Sequence, residues 1–298
     1  MEWFSKAADQ GHLDAQYFVD LMHRDGQGVL QDYQQAMEWL RKAANQGQVK
    51  AESLVGDIYR DGQGVLQDYL KAMEWSLKAA EQGDAGAQYI VGAIYWEGNG
   101  VPQDYQKAVE WFLKSAEQAE PSAQSRLGTM YRDGEGVPQD YQKATEWYLM
   151  AADHGNTAAQ CNIGFMYENG FGILQDYQKA MEWYLKAAKQ GDADAESNIG
   201  SMYQNGKGVS KDYQKAMDWY LMTADHGNTA AAQCNIGFMY ENGFGISQDY
   251  QKAMEWYLKA AKQGNADAEN NIGFMYQKGK GVTQDDQKAM EWYKKAAE

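Results

Sequence analysis

The stretch DYQKAMEWYLKAAKQGDADAESNIGSMYQNGKG, residues 176–208, decides the fold. Met181 and Tyr184 lie at helical spacing before a glycine, and Ile199 and Met202 repeat that spacing after it. Apolar residues three or four apart mark one face of an α-helix, and glycines mark the turns between helices. The stretch therefore predicts two helices joined by turns, which we call helix B (first) and helix A (second).

Tryptophan shows that this unit repeats along the chain. Successive positions differ by 36 residues, with a single interval of 37 between Trp219 and Trp256. A fixed period of this length is typical of helical repeat arrays. The series consists of Trp3, Trp39, Trp75, Trp111, Trp147, Trp183, Trp219, Trp256 and Trp292. We expect these indoles to pack between neighbouring hairpins, because the apolar arc of helix B is too wide for one partner.

The repeat predicts one domain over residues 1–298, since no Ser-, Gly- or Pro-rich linker interrupts it. Repeats in residues 1–146 diverge from one another, whereas segments 147–219 and 220–292 are nearly the same sequence. A recent internal duplication explains this likeness. It also predicts that any binding surface in this half is present twice.

Recurring residues mark the ends of the helices. Asp176 precedes helix B and is predicted to cap it, because its carboxylate can accept from the free N–H groups of the first turn. Gly191 ends the helix at a position suited to positive φ, which Ala119 occupies in one repeat. Gly200 lies within helix A, where a missing side chain is expected to let two backbones approach. The equivalent cap residues are Asp32, Asp68, Asp104, Asp140, Asp212, Asp249 and Asp285.

The charge of the chain restricts its partners. There are 27 Lys and Arg against 42 Asp and Glu, a formal net charge of −15. Such a chain is unsuited to nucleic acid or anionic lipid, so we expect a neutral to basic protein or peptide. No apolar run is long enough for a membrane span, and residues 1–8 match the inside of a repeat helix rather than a signal peptide. These features favour the cytoplasm.

Reactive side chains do not form a recognisable catalytic or metal-binding set. Cys161 and Cys234 occupy equivalent positions two repeats apart, about 20 Å in a regular array, which is too far for a disulfide. Of the histidines, His154 and His226 are copies in one turn two repeats apart and cannot converge. We predict no catalytic residue, metal or cofactor.

The repeat resembles the Sel1-like repeat, a relative of the tetratricopeptide repeat. Over one unit the residues that carry the resemblance are Ala195–Gly200, Tyr203, Gly206, Gly208, Val209, Asp212, Lys215, Ala216, Trp219 and Tyr220. It covers the whole chain and implies an all-α, right-handed α-solenoid of about eight tandem 36-residue repeats. It further implies A helices along the concave face and an adaptor role. One branch of the family, with paired cysteines in each repeat, is linked to β-lactam binding or hydrolysis, and those pairs are missing here.

In the C-terminal half, an asparagine ladder is the first candidate binding surface. An Asn at one position of each A helix could pair with the backbone of an extended peptide, while nearby phenylalanines supply apolar contact. The same helix position bears Asn in peptide-binding tetratricopeptide domains. Alternatively, recently copied repeats share these residues by descent alone. The candidates are Asn162, Asn198, Asn235 and Asn271, with Phe165, Phe238 and Phe274.

In the N-terminal half, apolar residues occupy the same side of helix A. Trp96 is the one tryptophan outside the periodic set, and the packing of the repeat does not require it. Apolar side chains exposed in a groove are typical of an interface. Alternatively, neighbouring helices bury them. The candidates are Tyr17, Phe18, Leu54, Tyr89, Ile90 and Trp96.

These observations predict a non-catalytic interaction scaffold that holds a peptide or protein segment in the groove. Two alternatives remain: a β-lactam-binding or -hydrolysing enzyme, and an architectural protein whose arrays stack end to end. Polar residues in the last helix, such as Asp286 and Lys294, favour a monomer with weak self-association over stacking.

Overall fold

The computed structural model describes residues 32–226 and 230–297, together with residues 6–8, 10–12, 15, 16, 18, 19, 22, 23 and 30. The chain forms two compact units, Met1–Asn156 and Thr157–Glu298. In both units the described residues form α-helices and turns, with no strand among them.

Each unit is a series of helical hairpins. Unit 1 contains α1 (Tyr33–Ala44), α2 (Val49–Asp61), α3 (Tyr69–Glu81), α4 (Ala85–Glu97), α5 (Tyr105–Ala116), α6 (Pro121–Asp133) and α7 (Tyr141–Asp153). Unit 2 contains α8 (Thr157–Asn169), α9 (Tyr177–Ala188), α10 (Ala193–Asn205), α11 (Tyr213–His226), α12 (Ala230–Asn242), α13 (Tyr250–Ala261), α14 (Ala266–Lys278) and α15 (Asp286–Lys295). Odd-numbered helices are B helices and even-numbered ones are A helices. The predicted all-α tandem repeat is confirmed.

The aspartate caps are present as predicted. The Asp176 carboxylate accepts from the backbone N–H groups of Gln178 and Lys179 at 3.0 Å. These bonds satisfy donors that the first helical turn leaves free. Equivalent bonds begin the other described B helices, from Asp32, Asp68, Asp104, Asp140, Asp212, Asp249 and Asp285.

The largest buried side chains are aromatic rings on the B helices, and each lies against a glycine of the A helix before it. A Cβ added to Gly200 would lie 2.7 Å from Cε1 of Tyr220, which is 1% exposed. The missing side chain at Gly200 therefore makes room for a ring of the facing helix. The same arrangement pairs Gly92 with Phe112, Gly128 with Tyr148, Gly164 with Tyr184, and Gly237 with Tyr257.

The periodic indoles are less buried than these rings. Trp75 is 8% exposed, while the other described members of the series are half-buried. Trp147 packs on a core cluster of α4, α5 and α6, and Trp219 packs on one of α9 and α10. A lysine three residues later covers the outer side of most rings, as where Lys186 Nζ lies 3.7 Å from the Trp183 ring centroid. Trp147 and Trp219 thus join their hairpins to the preceding ones.

A buried polar position recurs near the start of the A helices, and in α4 it links the helix to the chain of both neighbouring B helices. Gln88 donates through Nε2 to the carbonyl of Ala80 at 3.1 Å and accepts from Gln118 at 2.8 Å. Glu52 occupies this position one repeat earlier and is 5% exposed. It accepts from Gln82 at 2.7 Å, but burial raises the pKa of its carboxyl group against the lowering effects of Gln82 and Lys78.

We expect Ala119→Gly to stabilise the protein by about 1 kcal/mol. Ala119 has φ 62°, a left-handed conformation that costs an L-residue about 1–2 kcal/mol. Gly191 holds the equivalent turn at φ 82°, with no atom within 4 Å of an added Cβ. Gly191→Ala is the reciprocal control and should lose a similar amount. Urea unfolding measures both, and a destabilised Ala119→Gly variant would contradict the assignment.

We expect Glu52→Gln to raise the free energy of unfolding at neutral pH by about 1 kcal/mol, since an amide can donate to the Ala44 carbonyl as Gln88 does to Ala80. The raised pKa means that native Glu52 is destabilising above that pKa, and that this cost disappears at lower pH, where the group is protonated in both states. The advantage of glutamine should therefore shrink on acidification. Urea unfolding midpoints of both proteins, measured from neutral pH down to a pH at which Glu52 is protonated, test this prediction. A stability advantage of the Gln variant that does not change with pH would contradict it.

Candidate partner-binding face of the A helices

Three positions of each A helix, spaced three residues apart, share one side of the helix and carry different side chains in different repeats. Within each unit we call these positions the ladder face. Helices α2 and α4 contact each other directly, as do α8 and α10, so neighbouring members are close. The ladder face consists of Leu54, Asp57 and Arg60 on α2; Ile90, Ala93 and Trp96 on α4; Arg126, Thr129 and Arg132 on α6; Asn162, Phe165 and Glu168 on α8; Asn198, Ser201 and Gln204 on α10; Asn235, Phe238 and Glu241 on α12; Asn271, Phe274 and Gln277 on α14.

Phenylalanine is the exposed apolar side chain of the ladder face in unit 2. Phe165, Phe238 and Phe274 are 38%, 37% and 37% exposed. Each is a large ring that the fold leaves accessible to solvent. All three are among the contact residues predicted from the sequence.

Two further aromatic residues extend this surface and were not selected from the sequence. Phe171 lies 5.8 Å from Phe165 between ring centroids, and Phe244 lies 5.8 Å from Phe238. Phe244 also stacks on Tyr213 at 4.5 Å. Both phenylalanines occupy the middle of a Gly-x-Gly turn, between the two glycines. The sequence does contain a sign of their role, because Phe replaces a polar residue at this turn position only in the two duplicated copies.

The four ladder asparagines are all half-buried. Two point along the ladder face to the preceding A helix: the Asn198 amide donates to Cys161 Sγ at 4.0 Å, and the Asn271 amide donates to Cys234 Sγ at 3.7 Å. Thiol sulfur is a weak acceptor, so a stronger acceptor can replace it as the partner of either amide. Pairing with a peptide backbone remains a prediction.

Buried charges at the end of the A helices are neutralised within unit 2. Glu168 accepts from the Tyr184 hydroxyl at 2.9 Å and from Lys207 Nζ at 2.9 Å. Its copy, Glu241, accepts from Tyr257 at 2.9 Å and from Lys280 at 3.0 Å. Burial, followed by the nearby carboxylate, raises the pKa of both tyrosines. The phenylalanines therefore lie in a surface whose local charges are paired.

The candidates in unit 1 divide into exposed and buried residues. Phe18 is 49% exposed, whereas Leu54 and Tyr89 are partly buried against the core of α1–α4. Ile90 is 2% exposed and belongs to that core, so its selection as a contact residue is corrected: the close approach of neighbouring helices covers it. Tyr17 lies outside the described residues.

Trp96 is half-buried and held by two residues of later elements. Its indole N–H donates to Glu135 Oε2 at 2.7 Å, and the Arg126 guanidinium carbon lies 4.2 Å from the ring centroid. Neighbouring helices thus cover part of the ring, as one alternative expected, while part of it remains accessible.

Within the described residues, no group of three or more His, Cys, Asp or Glu side chains is arranged to hold a metal ion. None of the described helices is long and apolar enough to cross a membrane.

Both cysteines are free thiols, and Cys234 is 7% exposed. Burial raises the pKa of Cys234 to about 11, with a further increase from Asp267 and a decrease from Asn271. Burial raises the pKa of Cys161 more strongly. Neither thiol is therefore ionised at neutral pH.

We expect both thiols to react slowly with iodoacetamide in the native protein. With a pKa of about 11, Cys234 at pH 8 is a thiolate roughly 200-fold less often than an ordinary cysteine. Mass spectrometry of alkylation against pH measures this, and the rate should climb with pH through that pKa. The protein unfolded in guanidinium is the control and should react at both sites. Rapid native labelling at pH 8 would show the thiols to be accessible.

Comparison with known proteins places the repeats in a family. The Sel1 repeat model matches residues 1–12, 13–48, 49–84, 85–120, 121–156, 157–192, 193–228, 230–265 and 266–298. No curated protein matches the chain.

Two solved structures are similar over the whole chain. A protective antigen of uropathogenic Escherichia coli strains with an SLR fold is 37% identical over 99% of this chain and 63% of its own, with a TM-score of 0.81. The chain thus spans less than two thirds of that antigen. A Sel1 repeat protein from Oxalobacter formigenes is 34% identical over 100% of this chain and 86% of its own, with a TM-score of 0.70. Sel1 and related helical repeats generally mediate protein–protein interactions, and this chain belongs to the Sel1 repeat family.

Proposed function

We propose that this protein is a non-catalytic scaffold that binds a peptide or protein segment along the ladder face. The observation that carries the proposal is the exposure of Phe165, Phe238 and Phe274 at one position of three A helices. Large aromatic side chains that remain exposed in a packed repeat are the residue type that dominates binding energy at interfaces.

Apolar contact supplies the affinity in this proposal. Covering a phenylalanine ring contributes roughly 1.5–3 kcal/mol when the ring goes from exposed to buried, and each of these rings begins partly covered. Phe171 and Phe244 widen two of the three contacts. Several partial contributions therefore add up to a useful affinity, while the half-buried asparagines supply hydrogen bonds to the bound backbone.

Duplication makes the surface bivalent. Phe165 with Phe171 and Phe238 with Phe244 form the same pair with the same 5.8 Å separation, two repeats apart. Two repeats span about 20 Å, which an extended peptide covers in about six residues. The ligand we propose carries two apolar side chains with about that separation.

Charge favours a neutral to basic ligand. The chain carries a net charge of −15, whereas Lys207 and Lys280 neutralise Glu168 and Glu241 beside the phenylalanines. The negative field of the chain attracts a basic segment. The two lysines beside the phenylalanines repel it little, because each is paired with a glutamate. The protein acts as a monomer in this proposal, with its ladder face free for the partner.

We expect Phe165→Ala and Phe238→Ala each to weaken a peptide selected on the full-length protein by about tenfold, because each removes one aromatic contact. The double variant should lose more than either single one. The probe is a peptide from an unbiased display selection, its binding is measured by fluorescence anisotropy, and circular dichroism checks the helix content.

Met222→Ala is the matched control, since Met222 is 42% exposed in the same unit but lies on α11, a B helix that contributes no position to the ladder face. It should bind like the unaltered protein. Equal affinity of the phenylalanine variants and the control, with helix content intact, would exclude the ladder face as the binding surface.

A further inference from the structure

Helix α6 carries a ladder face unlike the others. It places Arg126, Thr129 and Arg132 where α8 and α12 carry Asn, Phe and Glu. Among the described A helices, α6 is the one with two arginines at these positions. Two arginines on one side of a helix are unusual in a chain with a net charge of −15, so the groups that surround them are of interest.

Packing orients the Arg126 guanidinium. Its carbon lies 4.2 Å from the ring centroid of Trp96 on α4, which is a cation–π contact. The indole is itself held, because its N–H donates to Glu135 at 2.7 Å. A guanidinium held against a fixed ring loses little side-chain freedom on binding.

The two arginines differ in their partners. Arg132 donates to both oxygens of Asp133 at 2.8 Å. Arg60, its equivalent on α2, forms ion pairs with Asp57 at 2.7 Å and Asp61 at 2.8 Å. Of the carboxylates in the described residues, none forms an ion pair with Arg126. Among the described residues, its cation–π contact with Trp96 takes the place of an ion pair.

We propose that Arg126 binds a single carboxylate of the partner, beside an apolar group that rests on the accessible part of Trp96. The proposal deepens the function proposed above and rests on it. A guanidinium edge matches the two oxygens of a carboxylate with two parallel hydrogen bonds. The Thr129 hydroxyl, three residues along the same side of α6, is bonded to Tyr148 at 3.0 Å and adds a polar neighbour.

A monoanion fits this site better than a dianion. Glu135 bonds the Trp96 indole and Asp133 pairs with Arg132, so two carboxylates already lie close to the two arginines. One positive charge is left without an acidic partner. A carboxylate neutralises it, whereas a phosphate group adds a second negative charge beside Glu135 and Asp133.

The test uses peptides from a display selection on the full-length protein, followed by a double-mutant cycle. We expect selected peptides to share an Asp or Glu at one register position, or a free C-terminal carboxylate. Replacing that residue by its amide, or amidating the C-terminus, should weaken binding about 10- to 100-fold and identifies the source of the carboxylate. Arg126→Gln should weaken binding of the selected peptide by the same factor. In that variant, removal of the peptide carboxylate should have almost no further effect on affinity.

Two variants serve as controls. Arg41→Gln removes the same charge from an exposed position of α1 and should bind like the unaltered protein. Arg126→Lys keeps the charge but loses the planar fork of the guanidinium. Its peptide affinity should lie between that of the unaltered protein and that of Arg126→Gln. Circular dichroism of each variant confirms that the fold is retained.

Three outcomes would overturn the proposal: selected peptides with no acidic preference, additive losses in the cycle, or tighter binding when phosphoserine replaces the acidic residue. The first two would leave the aromatic contacts of unit 2 intact, so the phenylalanine variants would still weaken binding. A selection that yields no peptide would refute this site and the scaffold function together.

Discussion

The structure depends on the contact between a ring of helix B and a glycine of helix A. Tyr220 and its equivalents fill the space that a side chain at Gly200 would occupy, and these rings are almost fully buried. The contact allows the two helices of a hairpin to approach closely, and buried apolar surface then stabilises the pair. Where Ser76 replaces the ring, an added Cβ on Gly56 would meet the Ser76 hydroxyl and would lie 3.3 Å from the Ala72 carbonyl oxygen, so helix B approaches the glycine closely there too.

Packing of this kind uses most of the helix surface and leaves the ladder face to vary. Helix B gives its rings to one hairpin and its indole to the one before, so it has little apolar surface left for a partner. Helix A keeps one side, where Phe165 and Phe238 are accessible while Ile90 is covered. Repeats with the same core can therefore present different chemistry: aromatic and amide groups in unit 2, and a guanidinium held against an indole on α6.

Polar contacts between successive repeats connect the end of one A helix to the Gly-x-Gly turn of the next repeat. Lys207 reaches Glu168, Lys280 reaches Glu241 and Trp96 reaches Glu135, each across 39 residues. In the third pair the donor and acceptor have exchanged places, yet the bond persists. A partly buried polar pair is costly when broken, so these bonds favour one register between neighbouring hairpins.

The amino-acid sequence by itself determined the repeat, the helix type, the aspartate caps and the exposed phenylalanines. These follow from spacing along one chain, since a period of 36 residues and helical periodicity are local properties. Tertiary structure alone decided that a ring fills the space at Gly200, that Ile90 is buried, that Phe171 joins Phe165, and that Arg126 contacts Trp96. Each of these depends on the distance between side chains from different helices, and spacing along the sequence does not contain that distance.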